Sequence, residues 1–416
     1  MMRNCLMLLL CGCLSFAEAQ PRTDTLLKNM FAREATPLLQ HILQHPDSFR
    51  YQLIYTQIDR DAQNKPHFRH YYLNVDANQY FNPASTVKLP IALLALEKMR
   101  ELKVPGLDGN TTMLSDSSWS GQETVHTDST AKSGLPSINH YIKRIFLISD
   151  NDAYNRLYEF VGQQSIHERL WKKGYKEVRI VRRFMPLSEE ENRHTNAIRF
   201  VKNGKTLYRQ APAESKLQYD FSKNIRIGAG YMDKNDHLVS EPMDFTKHNN
   251  LPLQSLQQML QSIMFPQSVP AAQRFHIAPQ DYSFLYRYMS EYPSESTDPV
   301  YDTTEYFDSY TKFFLFKGAG HHIASNIRVF NKTGWSYGFL TDAAYIVDFE
   351  HHVEFMLTGT IYVNRDGVLN DNKYEYDEEG YPFFRDAGNI LYQYELQRKR
   401  AYQPDLQLFR INYQQP

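Results

Sequence analysis

Apolar residues recur at helical spacing from Thr25 to Leu43, and an apolar stretch runs from Leu89 to Leu96 before ending in Glu97-Lys98-Met99. The first pattern predicts an N-terminal helix; the second predicts a buried one with Ser85 in its first turn. Tyr51 to Ile58 and Arg69 to Val75 read as paired strands, and Ile327 to Thr333 alternates before Gly334 and a hairpin into Phe339 to Phe349. A further hairpin is predicted where Asn203-Gly204 separates Ile198 to Val201 from Thr206 to Tyr208. Between Tyr141 and Leu157 an apolar segment breaks at Ser149-Asp150-Asn151 and helical periodicity resumes at Ala153. Helical periodicity closes the chain from Ala387 to Arg400.

Strands at both ends thus enclose a mainly helical middle. The fold class this implies is α/β in the α+β sense: an antiparallel sheet flanked by helices, with a helical lobe inserted between early and late strands. One catalytic domain is expected over residues 20–416. Its sheet lobe spans about 24–84 and 315–416, its helical lobe about 85–314, and the active site lies in the groove between them.

Composition narrows the function classes. The 416 residues are 42% hydrophobic and 22% charged, enough for a substantial core. A mean hydropathy of -0.56 argues against a polytopic membrane protein. A formal net charge of -1 offers no basic footprint for nucleic acid. The first residues differ: Arg3 precedes an apolar run from Leu6 to Phe16, and Ala17-Glu18-Ala19 forms a small-residue cleavage site before Gln20. That is the pattern of a signal peptide over 1–19, too short to span a membrane. Cys5, Cys11 and Cys13 all fall within it, so cleavage leaves a mature chain with no thiol, periplasmic or extracellular. Leu10-Cys11-Gly12-Cys13 also has a faint likeness to a lipoprotein processing site, the less favoured reading, which would leave Cys13 lipidated.

Three short motifs carry the chemistry: Ser85-Thr86-Val87-Lys88, then Ser149-Asp150-Asn151, then Lys332-Thr333-Gly334. Each is cheap alone, since a Ser-x-x-Lys pattern arises by chance about once in a chain this long. Ser129 to Lys132 and Ser309 to Lys312 repeat it, and Lys132-Ser133-Gly134 mimics the third motif. Order and context separate the first set from these decoys, because neither Ser129 nor Ser309 opens a comparable helix. Residues three apart on a helix share a face, which brings the Ser85 hydroxyl within reach of the Lys88 amine. Serine needs a neighbouring base, and lysine serves as one only when its pKa is lowered; a second cation such as Lys332 pushes that way. The Ser85 N–H at a helix start is a natural half of an oxyanion hole. No metal or cofactor is required.

With these motifs in this order the chain resembles the class A serine β-lactamases and the related penicillin-binding proteins. Tyr337-Gly338 and Thr341 to Val347 are similar to the family strand after the third motif. Asn155 matches an asparagine that braces a nearby loop, and Asp244-Phe245-Thr246 running into Leu256, Met259 and Leu260 is similar to the family helix after that loop. The resemblance implies that Ser85 is acylated, that Lys88 is its base, and that Ser149 carries a proton to the leaving nitrogen. It implies that Asn151 binds the substrate amide, that Lys332 and Thr333, beside Gly334, hold the substrate carboxylate, and that the Trp335 N–H is the second oxyanion donor.

The chain departs from that pattern in two ways. The family loop has the form Arg-Trp-Glu-Pro, whose glutamate activates the deacylating water, whereas Arg183-Phe184-Met185-Pro186 stands here. Met185 occupies the glutamate's place, and a thioether accepts no proton from water at neutral pH. Glu189-Glu190-Glu191 follows close behind and reads first as a solvated charged turn, with a substitute base as the lesser alternative. Two stretches, about 192–241 and 268–316, also exceed the family pattern. The second is rich in aromatic residues and is expected to pack on the main body, with an aromatic lid as the alternative.

His321-His322 and His351-His352 are poor chelates if they lie in strands, where neighbours face opposite ways, so no metal is assigned. The leading expectation is therefore a secreted serine hydrolase of the class A β-lactamase type, acylated at Ser85 by a β-lactam or related amide or ester. A penicillin-binding or D-alanyl carboxypeptidase-like enzyme on cell-wall peptides is the first alternative. A module that traps the acyl group or binds without turnover is the second. The oligomeric state is left open by the sequence.

Overall fold

The computed structural model describes residues 22–119, 121–318 and 323–414. The expected leader, its cysteines and the His321-His322 pair lie outside them. The expected N-terminal helix is two: α1 (Thr25–Glu34) and α2 (Pro37–Gln44). Thr36 caps the second, its hydroxyl accepting from the Leu39 N–H at 3.2 Å, and Pro37 takes the first helical position. Proline disfavours helical backbone in the residue before it, which breaks the run despite its continuous apolar spacing.

Strands β1 (Gln52–Arg60) and β2 (Pro66–Leu73) follow. A 3₁₀ turn over Ala84–Val87 leads into helix α3 (Lys88–Leu102), so Ser85 stands in the turn before the α-helix rather than in its first turn. The middle of the chain contributes strand β3 (Thr112–Asp116) and helices α4 (Ile138–Ile148) and α5 (Asn151–Val161). It then adds strands β4 (Ala197–Lys202) and β5 (Lys205–Gln210) and helices α6 (Leu253–Met264) and α7 (Pro279–Ser290). The β4–β5 hairpin turns through Asn203 and Gly204, both at positive φ, and β4 pairs with β3 to make a small sheet inside the middle region. The chain ends with strands β6 (Ile327–Ser336), β7 (Phe339–Asp348) and β8 (Val353–Tyr362) and helix α8 (Tyr381–Gln397).

The main sheet is antiparallel with the order β6-β7-β8-β1-β2, so strands from both ends of the chain meet at the β8–β1 pair. Strand β6 is an edge. Alternation decides what each of its faces meets: Ile327, Val329 and Trp335 pack with α1, α2 and α8, while Phe330 packs with α3, α4 and α5. Lys332 and Gly334 share the Phe330 face; Asn331 and Thr333 share the other. Helix α3 is apolar on every side, and its residues from Lys88 to Glu97 are all buried. Each large apolar side chain so enclosed contributes about 1.5–3 kcal/mol, and together they fix where the helix begins. His351 and His352 lie in the turn between β7 and β8 rather than in a strand, with His351 Nδ1 2.7 Å from Asp348 Oδ2. Among the described residues no helix is long and apolar enough to cross a membrane.

Candidate active site

The Ser85 turn is held from both sides. Ala84 sits at φ +43°, in the left-handed region, its N–H donating to Asn82 Oδ1 at 3.2 Å. That backbone costs about 1–2 kcal/mol for a residue with a Cβ. Strand β6 closes the other side, since a Cβ on Gly334 would lie 2.7 Å from Pro83 O, 2.7 Å from Ser85 N and 2.8 Å from Thr86 N. Only glycine lets the strand approach the turn so closely. The Ser85 hydroxyl has no hydrogen-bond partner among the described residues, and neither does its N–H.

Hairpin geometry orients the next element. Tyr337 and Gly338 both take positive φ and make a two-residue turn that pairs Ser336 with Phe339. Alternation from that pair turns the N–H groups of Trp335 and Thr333 outward, away from β7. The outward N–H of Trp335 and the N–H of Ser85 thus stand on the two sides of the Gly334 contact.

Lys88 is fully buried and does not bond the Ser85 hydroxyl, the contact expected from their spacing. Its Nζ donates instead to the Ser149 carbonyl and to Asn151 Oδ1 at 2.7 Å, and lies 3.4 Å from Ser149 Oγ. A carbonyl at the end of α4 and an amide oxygen at the start of α5 take up the Lys88 N–H donors in place of the Ser85 hydroxyl. Burial first, and then the Lys332 charge, hold the Lys88 pKa well below the ordinary lysine value, with Asp150 opposing. Lys332 Nζ donates to Ser149 Oγ at 2.8 Å and to the Thr333 carbonyl at 2.6 Å. Ser149 Oγ therefore bridges the two lysines.

The second motif works through its backbone as well. Ser149 ends α4 in the left-handed conformation at φ +60°, which folds its carbonyl toward Lys88. Asp150 caps the next helix, its Oδ1 accepting from the Ala153 N–H at 2.8 Å. Its other oxygen accepts from Arg144 at 2.8 Å. Asn151 is exposed, and Asn155 accepts from the Phe184 N–H at 2.8 Å, bracing the 183–186 segment.

Ser85, Lys88, Ser149, Asn151, Lys332, Gly334 and the Trp335 backbone are thus brought together. The Thr333 side chain is not: it points to the opposite face of β6, where its Oγ1 is buried without a partner. A serine beside a lysine held below its usual pKa, a second hydroxyl bridging two amines, and two free N–H groups can form and stabilise an acyl-serine.

Sequence reasoning missed Phe184. Its ring centre lies 5.0 Å from Lys88 Nζ, so an aromatic face stands beside the Lys88 amine. Among the described residues no carboxylate bonds Ser85 or Lys88. Glu189, Glu190 and Glu191 open a short helix, capped reciprocally by Ser188 and Glu191, in which Glu189 and Glu190 are exposed and Asn192 is buried. The second insertion packs Tyr286 of α7 against Phe330 and sends Tyr310 and Phe313 against the Trp335 ring, at 5.7 and 5.9 Å. The decoy Ser129 to Lys132 is exposed, whereas Ser309 and Lys312 are buried.

Residues 40–218 match the model of the beta-lactamase enzyme family, a span that holds the first two motifs and the 183–186 loop. No curated protein sequence matches the chain. Among solved structures, it is similar to a beta-lactamase from Sphaerobacter thermophilus at 11% identity and a TM-score of 0.47, covering 86% of this chain and 96% of that one. A beta-lactamase from Xanthomonas campestris is similar at 12% identity and a TM-score of 0.47, covering 88% and 96%. A PBP-A variant solved as an acyl-enzyme with penicillin G is similar at 14% identity and a TM-score of 0.45, covering 87% and 97%. These likenesses are loose, and the match over residues 40–218, under half of the chain, is to the beta-lactamase enzyme family.

Proposed function

We propose that this serine hydrolase-like chain takes acyl groups from β-lactams, or from related amides and esters, onto Ser85. Lys88, its pKa lowered by burial and by the Lys332 charge, accepts the Ser85 proton as the Oγ–carbonyl carbon bond forms. The oxygen of the tetrahedral intermediate lies between the N–H groups of Ser85 and Trp335. When the carbon–nitrogen bond breaks, the proton returns through Ser149 Oγ to the leaving nitrogen, with Lys332 holding that hydroxyl in place. Asn151 binds the substrate amide, and Lys332, with the Thr333 backbone at the exposed strand edge, receives its carboxylate. The bridge of Ser149 Oγ between Lys332 at 2.8 Å and Lys88 at 3.4 Å carries this reading. We place the reaction outside the cytoplasm, on the strength of the leader-like first 19 residues.

The same geometry favours a second reading for the fate of the acyl group. Phe184 stands beside Lys88 and, among the described residues, no carboxylate bonds Ser85 or Lys88, so hydrolysis lacks the base that contributes about 10²–10⁴-fold to such a step. A long-lived acyl-enzyme, or a penicillin-binding protein acting on cell-wall peptides, fits this better than rapid lactam turnover.

A fluorescent penicillin tests both. Covalent labelling of the protein, lost in Ser85→Ala, is expected, with an adduct that survives removal of free label. Absence of any adduct by mass spectrometry would reject Ser85 acylation; rapid multiple turnover of nitrocefin would reject the slow second step.

A further inference from the structure

Lys312 belongs to the insertion over 268–316, and its side chain is fully buried behind strand β6. Its Nζ donates to the Met289 carbonyl and to Asn331 Oδ1, both at 2.7 Å. Asn331 is spent in full: its Nδ2 donates to Asp342 Oδ1 at 2.8 Å and to the Thr311 carbonyl at 2.7 Å. The other Asp342 oxygen accepts from the N–H of Phe313 at 3.2 Å and lies 3.5 Å from that of Phe314. Asp342 pairs with Thr333 across β6 and β7, and Asn331 is the residue before Lys332. A cation, an amide and a carboxylate are thus lined up on the far face of the strand whose near face presents Lys332 to Ser149.

As packing alone this arrangement is poor. An apolar chain of similar length would fill the Lys312 site without taking a charge out of water, and replacing buried ion networks by such residues is often neutral or stabilising. We propose that Lys312 is a positioning residue for acyl transfer, acting through Asn331 and Asp342 on the ammonium of Lys332. The proposal rests on the Ser85 reading above.

The electrostatics run in the same direction. Burial lowers the Lys332 pKa to about 7, Asp342 pulls it up and Lys312 pushes it down. Lys312 is itself lowered to about 7 by burial, against Asp342, with Arg328 lowering it further and Glu295 raising it. Arg328 and Glu295 face Lys312 as a two-bond ion pair at 2.8 and 2.6 Å and act on it with opposite signs. Asp342 is raised to about 6 by burial, with Asn331, Lys312 and the backbone N–H groups of Phe313 and Phe314 holding it down. On the near face Lys332 meets Lys88, and Asp150 faces Lys88 from α5. Lys332 must keep its proton to hold Ser149 and a carboxylate, so loss of that proton ends acylation on the alkaline side. Lys312 and Asp342 set where that end falls, with opposite signs.

The test is the rate of acylation by fluorescent penicillin across pH, measured for the wild type, Lys312→Met, Lys312→Arg and Asp342→Asn, each checked for folding by circular dichroism. Lys312→Met removes a positive charge and is expected to move the alkaline limb up by roughly half a pH unit or more. Asp342→Asn is expected to move it down, and Lys312→Arg to leave it near the wild-type position. If the folded Met and Asn variants both keep the wild-type limb, the proposal is overturned, whatever happens to the absolute rate. Nitrogen-15 NMR titration of the Lys332 ammonium in the same proteins reads the coupling without any substrate. Failure of wild-type labelling alongside a shifted Lys332 titration would therefore overturn Ser85 acylation and leave the coupling standing. If Lys312→Met does not fold, an unmoved Lys332 titration in Asp342→Asn overturns the coupling on its own.

Discussion

Gly334→Ala isolates the closest contact of the site. Gly334 is absent from the positive-φ positions, so alanine brings no backbone strain there, only volume. The added methyl carbon would lie 2.7, 2.7 and 2.8 Å from three backbone atoms of Pro83, Ser85 and Thr86. Ordinary contact begins at 3.4 Å, so the overlap is 0.7, 0.7 and 0.6 Å, and none of it falls on a side chain that can swing away. Strand β6 and the Ser85 turn must separate by several tenths of an ångström. Overpacking of this kind costs about 1–3 kcal/mol. In a chain of this size each kcal/mol moves Tm by about 2 °C or less, so a fall of at most about 6 °C is expected. The rate should suffer more than the stability, because the separation displaces the Ser85 N–H from the Trp335 N–H. A misplacement approaching 1 Å at a reacting centre costs about 10²-fold. Thermal unfolding and the second-order rate of fluorescent-penicillin labelling measure the two. Gly134→Ala is the control, since Gly134 has φ +69° and no atom within 4 Å of the added carbon. It should lose stability through backbone strain and keep its labelling rate. If Gly334→Ala melts and labels like the wild type, the strand and the turn are not in the contact described.

Other variants probe the remaining groups. Ser149→Gly removes the bridging hydroxyl while suiting the left-handed backbone at φ +60°, so labelling should fall by about 10²–10⁴-fold with Tm changed by a few degrees at most; an unchanged rate would exclude Ser149 from proton transfer. Phe184→Glu puts a carboxylate next to Lys88, and it should shorten the life of the acyl adduct in a wash-out assay more than Met185→Glu does; the reverse order would contradict the placement of Phe184. His167 is buried, with Nδ1 2.7 Å from the Gln163 carbonyl and Nε2 accepting from the Ile180 N–H at 3.0 Å. Burial lowers its pKa from 6.5 to about 4, so the unfolded chain binds a proton first as pH falls. Its contribution to stability is intact above 6.5 and drains away as pH falls toward 4, by about 1.4 kcal/mol per pH unit. Tm against pH for the wild type and His167→Gln checks this: the variant should lose less stability across that window.

Local chemistry made much of the molecule legible beforehand. Alternation and turn residues announced β1, β2, β4 to β7 and the Asn203-Gly204 hairpin, because a strand's side-chain period and a positive-φ turn are written in neighbouring residues. The three motifs could be ranked above their decoys by what followed each of them. The helix break before Pro37 was equally local and was outweighed in the reading by the continuous apolar spacing around it. The side of β6 on which Thr333 points was also readable from alternation, yet its pairing with Lys332 in one motif obscured it.

What the amino-acid sequence determined by itself was the inventory: two serines, two lysines and a glycine, in an order that implied one site. Tertiary structure decided which of these touch. Lys88 bonds Ser149 and Asn151 rather than Ser85, Phe184 stands where a base was sought, and Gly334 is needed because a strand from the far end of the chain lies on the Ser85 turn. Lys312 shows the difference most plainly. In the sequence it closes a chance repeat of the first motif; in the fold it is a buried cation behind Lys332. Burial, and the distance between groups hundreds of residues apart, set pKa values and hydrogen-bond partners, and neither quantity exists until the strands from the two ends of the chain have paired.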